Sequence, residues 1–123
     1  WNRAKGKIIE GVNVENARAI KRAVNIPVIC TGGFQTASVI RRVINDGDCD
    51  AVSIARSLIA NPDLMQMFAA GQDRPANPCT YCNKCLVNIL ENPIGCYEVS
   101  RFGGDYDAMI RQVMSVFETT GFE

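Results

Sequence analysis

The chain contains no histidine, no surplus of charge of either sign and no long apolar run. Without histidine, the second half of a zinc site cannot come from an H-x3-H pair. Lysine plus arginine total 13, aspartate plus glutamate total 13, and the formal net charge is zero. No basic excess therefore exists to draw the chain onto nucleic acid or an anionic membrane. No apolar run approaches the roughly 20 residues that a spanning helix needs, and the sequence opens on no signal-peptide pattern. Its first residue is Trp1 rather than methionine; the expectation is a piece of something longer, cut on its N-terminal side.

With 47% hydrophobic and 21% charged residues over 123 positions, the composition is that of an ordinary globular protein. Six cysteines raise the possibility of a disulfide framework. The strand and helix patterns do not resemble a loop-rich stapled fold, and three of the thiols lie too close together for that reading. A reducing cytoplasm is the expected compartment.

After an irregular stretch over Trp1–Gly11, Asn13 is placed to cap a helix to about Val24, with Val14, Ala17, Ile20 and Val24 at helical spacing. Ile26–Cys30 is a short β-branched run bounded by turn signals, the pattern of a strand buried on both faces of a parallel sheet. Thr36 can cap a second helix, with Val39, Ile40, Val43 and Ile44 as its apolar stripe. Ala51–Ile54 reads as the next strand, and Asn61-Pro62 as the opening of a third helix with Leu64, Met65 and Phe68 on its buried side. This alternation predicts repeated βα units and a parallel sheet. Two strands cannot complete such a sheet, so others are expected elsewhere. From Gln72 to Gly104 the pattern dissolves into a loop region, and Tyr106–Glu118 returns to helical spacing around Met109, Ile110, Val113, Met114 and Phe117.

Gly32-Gly33 stands at the C-terminal end of the first strand, immediately before a helix. Glycine lets a backbone approach a ligand closely, and amides at a helix start favour an anion. Arg56 holds the equivalent place after the next strand, where a guanidinium can grip phosphate through two hydrogen bonds. In (β/α)8 barrels the loops after the last two strands frequently form a phosphate site. The competing reading is a plain tight turn and a surface arginine. No G-x-G-x-x-G is present, which weakens a dinucleotide-binding Rossmann reading.

Cys79, Cys82 and Cys85 fall within seven residues, and Cys96 follows a short loop later. Structural zinc usually takes its ligands as two separated pairs. A close C-x2-C-x2-C run is like the spacing used for iron–sulfur cubes; zinc, or no metal at all, remain the alternatives. Cys30 reads as a small apolar filler, and Cys49 carries no assigned role. Met65, Met67, Met109 and Met114 read as core. The alternating Asp46, Asp48 and Asp50 read as turn chemistry, and Lys5, Lys7, Lys21, Arg22, Arg41 and Arg42 as solvated charges.

Ile26-Pro27-Val28-Ile29-Cys30-Thr31-Gly32-Gly33, Ala51-Val52-Ser53-Ile54-Ala55-Arg56-Ser57-Leu58, Asn61-Pro62-Asp63-Leu64 and Cys79-x2-Cys82-Asn83-x-Cys85 together resemble the C-terminal part of the old yellow enzyme-like NADH:flavin oxidoreductases. Within that family they resemble the cluster-bearing branch that includes 2,4-dienoyl-CoA reductase and trimethylamine dehydrogenase. The resemblance covers about residues 8–97; the gap before Cys96 is slightly shorter than the family's. It implies an α/β chain that is the C-terminal portion of a (β/α)8 TIM barrel. Residues 1–71 would be the last βα units on the FMN phosphate side, 72–104 a Cys-rich cluster loop and 105–123 a terminal helix. Gly32, Gly33, Ala55 and Arg56 would surround the FMN phosphate, and Cys79, Cys82, Cys85 and Cys96 would hold a 4Fe-4S cluster. The implied activity is NAD(P)H oxidation through flavin, with reduction of an activated C=C bond or oxidation of an amine. Catalytic residues would lie on earlier strands, so none is named here. The partners expected are a small-molecule substrate, the missing part of the barrel and a second copy of the chain. A non-flavin barrel that binds a phosphorylated substrate, and an electron-transfer module without chemistry of its own, are the other classes the residues allow.

Overall fold

The computed structural model describes residues 9–117; the first eight residues, and Glu118 with the five after it, lie outside the description. The chain divides between Pro78 and Cys79 into two units, each described by itself.

In the first unit the order is α1 (Val14–Ala23), β1 (Ile29–Thr31), α2 (Ala37–Asn45), β2 (Ala51–Ser53), α3 (Arg56–Ala60) and α4 (Leu64–Ala69). The expected βα alternation is present. The two strands pair in parallel, with Ile29 opposite Ala51, Cys30 opposite Val52 and Thr31 opposite Ser53. The core is Ala17, Val28, Cys30, Phe34, Val43 and Cys49, all nearly sealed from solvent. Here α1 packs on β1 and α2 on β2. Cys30 is the filler its sequence context suggested, and Cys49 joins the same cluster.

Several local expectations change. The strand expected to be buried on both faces is buried on one: Cys30 is 2% exposed and its neighbour Ile29 64%. Helices cover one face of the pair, and among the described residues nothing covers the other. Ile20 and Val24, expected on the apolar stripe of α1, are also exposed. Asn13 and Thr36 precede their helices, but neither side chain caps. Asn13 instead donates its amide to the Thr31 carbonyl at 2.6 Å. Asn61 ends α3 rather than opening a helix; Asp63 precedes α4, with Pro62 in the turn between. On α4 Leu64 is fully buried, whereas Met65 is 48% exposed.

Two carboxylates outside the apolar core hold α1 against the approach to β2. Arg18 donates to Asp48 through Nε at 2.5 Å and through a terminal nitrogen at 3.0 Å. Lys21 reaches Asp50 at 2.5 and 2.6 Å, and Asp50 also accepts from the Val28 amide at 2.7 Å. Lys21 is therefore paired, not simply solvated.

The second unit contains α5 (Lys84–Asn88), a 3₁₀ turn at Val99–Phe102, α6 (Tyr106–Met114) and a further 3₁₀ turn at Ser115–Phe117. The stretch read as loop thus contains two short helical turns. The terminal helix is shorter than its apolar spacing suggested, and Glu118 lies outside the described residues. Asp105 caps α6 by accepting from the Ala108 amide at 2.9 Å. On α6 Met109 and Val113 are buried, while Met114 and Phe117 are exposed.

Phe34→Ala empties the centre of the first unit and is expected to lower its stability by about 4 kcal/mol in denaturant unfolding. A pH titration of stability tests the Arg18–Asp48 pair. Arg18 holds the Asp48 carboxyl below its usual range. The pair's contribution is therefore present above about pH 4 and is lost as pH falls through the depressed value. Asp48→Asn should flatten this acid limb.

Candidate functional site

Each functional group in the first unit is placed by the end of a strand. Because Thr31 pairs with Ser53, β1 and β2 stop level with each other, and their hydroxyls are hydrogen-bonded across the last rung. Gly32-Gly33 follows the first strand and Ala55-Arg56 the second, both beyond the C-terminal edge of the sheet. Arg56 begins α3, a helix of five residues. A short extra helix after a barrel strand is the kind of element that completes a barrel phosphate site.

The two glycines have different reasons. Gly32 is buried under the turn at residues 11–13: a Cβ there would meet the Val12 and Asn13 nitrogens at 3.3 and 3.4 Å. Its carbonyl accepts from the Gly11 amide at 2.6 Å. Gly33 adopts φ +67°, a left-handed conformation that costs glycine little. Gly33 and Arg56 are half-buried and Ala55 is exposed. The donor set of backbone amides and a guanidinium fits a phosphate.

The start of α2, which the sequence offered to the same anion, is occupied by the chain itself. Glu10 accepts from the Gln35 and Thr36 amides at 2.7 Å each and from the Thr36 hydroxyl at 2.9 Å. The Asp73 carbonyl accepts from the Ala37 amide at 2.8 Å. Its carboxylate takes the Ser38 amide at 2.7 Å and the Ser38 hydroxyl at 2.8 Å. The Ser38 hydroxyl, then its amide, holds the Asp73 carboxyl below the ordinary range. Two carboxylates thus complement the positive end of the α2 dipole. Neither was visible in the sequence, because they reach α2 from 25 to 35 residues away.

All four cluster cysteines belong to the second unit and are partly accessible. The chain coils tightly between them: Tyr81 and Asn83 both take left-handed φ, at 57° and 64°. Such strain in non-glycine residues gathers where function requires it. The Tyr81 amide donates to the Cys79 sulfur at 3.4 Å, the type of bond that tunes an iron–sulfur centre. Glu98 accepts from the Ser100 hydroxyl at 2.9 Å, from the Cys82 thiol and from Lys84 at 3.2 Å. These bonds, that of Ser100 foremost, hold its carboxyl down to about 2. Among the described residues no group of three or more His, Cys, Asp or Glu is gathered to hold a metal ion. The chemistry of the four thiols suits a cluster, and the structure does not draw them around one point.

Cys96 is presented by Gly95, which packs against α6 so closely that a Cβ would lie 2.8 Å from a Val113 methyl. Gly95→Ala should therefore cost the second unit about 1–3 kcal/mol, read by chemical denaturation. Val113→Ala in the same chain should recover part of that loss, a coupling that two independent sites would not show.

With the geometry described, comparison with known proteins defines the class. The profile of the dihydrouridine synthase (Dus) family matches residues 2–120. The chain belongs to that family, one of flavin-dependent TIM-barrel oxidoreductases. It is 34% identical over 95 residues to a bilirubin reductase of Mediterraneibacter gnavus, covering 76% of this chain and 15% of that protein. To an NADH oxidase of Thermoanaerobacter brockii it is 34% identical over 102 residues, covering 72% and 16%. To a multifunctional alkene reductase/demethylase OYE of Caballeronia cordobensis it is 32% identical over 80 residues, covering 63% and 12%. The chain thus spans between 12% and 16% of the length of these relatives. No solved structure matches it. The barrel and the flavin-dependent class agree with the resemblance read from the motifs, although the profile that matches is named for dihydrouridine synthase. Among the described residues no helix is long and apolar enough to cross a membrane.

Proposed function

We propose that this chain is the C-terminal part of an FMN-dependent NAD(P)H oxidoreductase of the ene-reductase or amine dehydrogenase type, working in the cytoplasm. In this reading the first unit carries the last βα units of the barrel, residues 72–104 the cluster loop, and α6 the terminal helix. The observation that supports it is the level ending of two adjacent parallel strands at Thr31 and Ser53, which Gly32-Gly33 and Ala55-Arg56 follow within three residues. The relatives named as reductases and as an NADH oxidase support the redox class and the nicotinamide donor.

Gly32, Gly33, Ala55 and Arg56 hold the phosphate of FMN, with Arg56 as the charged partner. The flavin, when bound, supplies hydride transfer from NAD(P)H to an activated C=C bond. The residues of this chain would anchor its phosphate tail. Cys79, Cys82, Cys85 and Cys96 hold a 4Fe-4S cluster, with the Tyr81 amide hydrogen-bonded to the first sulfur. The proton donor and the substrate contacts belong to strands outside this chain, so the isolated chain should show no turnover with FMN and NADH.

The test is an anaerobic optical spectrum of the intact protein with flavin, iron and sulfide quantified. Flavin bands with one FMN per chain, plus about four iron and four sulfide, are the expected result. A colourless protein would instead favour a barrel that binds a phosphorylated substrate without flavin. Arg56→Ala should weaken FMN binding by about 10- to 100-fold, the worth of one charge-assisted bond. Unchanged retention would show that the phosphate lies elsewhere.

A further inference from the structure

Residues 10–13 form a strap across the end of β1. Glu10 takes the Gln35 and Thr36 amides and the Thr36 hydroxyl. Gly11 binds the Gly32 carbonyl at 2.6 Å, and Asn13 binds the Thr31 carbonyl at 2.6 Å. Every contact falls on the segment from Thr31 to Thr36, which contains the diglycine. Between the glycines and the Glu10 contacts lies Phe34, which with Gln35 is fully buried. The segment is therefore fixed at both ends, by the strand ladder and by the carboxylate.

We infer that Glu10 is a positioning residue for the phosphate loop, an assignment that rests on the flavin reading above. Its carboxylate has two effects. It sets the path of residues 32–36, and so the placement of the Gly32 and Gly33 amides. It also occupies the Gln35 and Thr36 amides at the entrance to α2, an anion site that would otherwise compete for the phosphate. A phosphate approaching α2 meets a carboxylate of like charge, while one approaching α3 meets Arg56. Glu10 thus directs the anionic tail to the strand ends and to the α3 side.

FMN and riboflavin differ only in the phosphate, so their relative affinities isolate this role. Binding of each to the intact protein is measured by quenching of flavin fluorescence. The expected result is a clear preference of the wild type for FMN. Glu10→Ala should raise the FMN Kd by roughly 10-fold or more and leave riboflavin within about twofold. Millimolar acetate, which can occupy the vacated carboxylate position, should restore part of the preference. Glu10→Asp keeps the charge and the fold but draws the oxygens back from the Gln35 and Thr36 amides, and it should lose the preference as well. An FMN-to-riboflavin ratio unmoved in both variants overturns this inference alone, as does an equal loss of both ligands in the well-folded Asp variant. A wild type that binds neither flavin, or binds both equally, overturns the flavin reading together with it.

Discussion

Parallel pairing of β1 with β2, closed at the Thr31–Ser53 rung, is the constraint on which the rest of the first unit depends. Only three residue pairs form the ladder. Their register decides which groups emerge together. If β2 were shifted by one residue, every side chain on it would change face. Val52 would leave the core side and Arg56 would no longer rise beside the diglycine. The register is itself held from outside the ladder. Asp50 exchanges bonds with Val28 on the entry side, accepting from its amide at 2.7 Å and donating to its carbonyl at 2.8 Å. At the exit side, Asn13 and Gly11 tie down the carbonyls of Thr31 and Gly32. A short ladder with fixed ends is a rigid base for a binding edge.

At that edge two neighbouring helix starts are treated differently. Glu10 takes the amides of Gln35 and Thr36 just before α2, and Asp73 those of Ala37 and Ser38 that begin it. At α3 no acidic residue stands in the first turn, and Arg56 is the first helical residue. Carboxylates thus stand at the start of α2, and a guanidinium opens α3. A dianion would be guided by this difference before any hydrogen bond is made. This asymmetry, rather than glycine content, makes the second loop the electrostatic half of the proposed cradle.

How much of this could be read in advance follows from the range of each interaction. The βα alternation, the start of β2 and the burial of Cys30 are set by neighbours in sequence, and they were legible. Side-chain destinations were not. Asn13 and Thr36 carry capping chemistry and stand immediately before their helices, yet tertiary partners outcompete the local bond: the Thr31 carbonyl for one, Glu10 for the other. Asn61-Pro62 has the pattern of a helix start and instead closes α3, because the turn after β2 already begins helix at Arg56. The role of Glu10 is out of reach of any local pattern, since its partners lie 25 and 26 residues away. The exposure of Ile29 was misread because a two-sided strand needs elements on both faces, and those described cover only one.

The second unit raises a different physical question, namely what holds it together. Of its described apolar side chains, Met109 and Val113 are buried, while Leu86, Val87 and Leu90 are between 64% and 87% exposed. A segment of this size with so small a core falls in the range where natural domains rely on disulfides, metals or association. Its cysteines form no disulfide, and the Cys82 thiol donates to Glu98. Loading a cluster requires four thiolates, so assembly would release protons and exchange weak thiol contacts for covalent cross-links between Cys79 and Cys96. Those cross-links would span α5 and the following turn, the part of the unit with least buried surface. In the proposed reading the inorganic centre is therefore a structural element as well as a redox one.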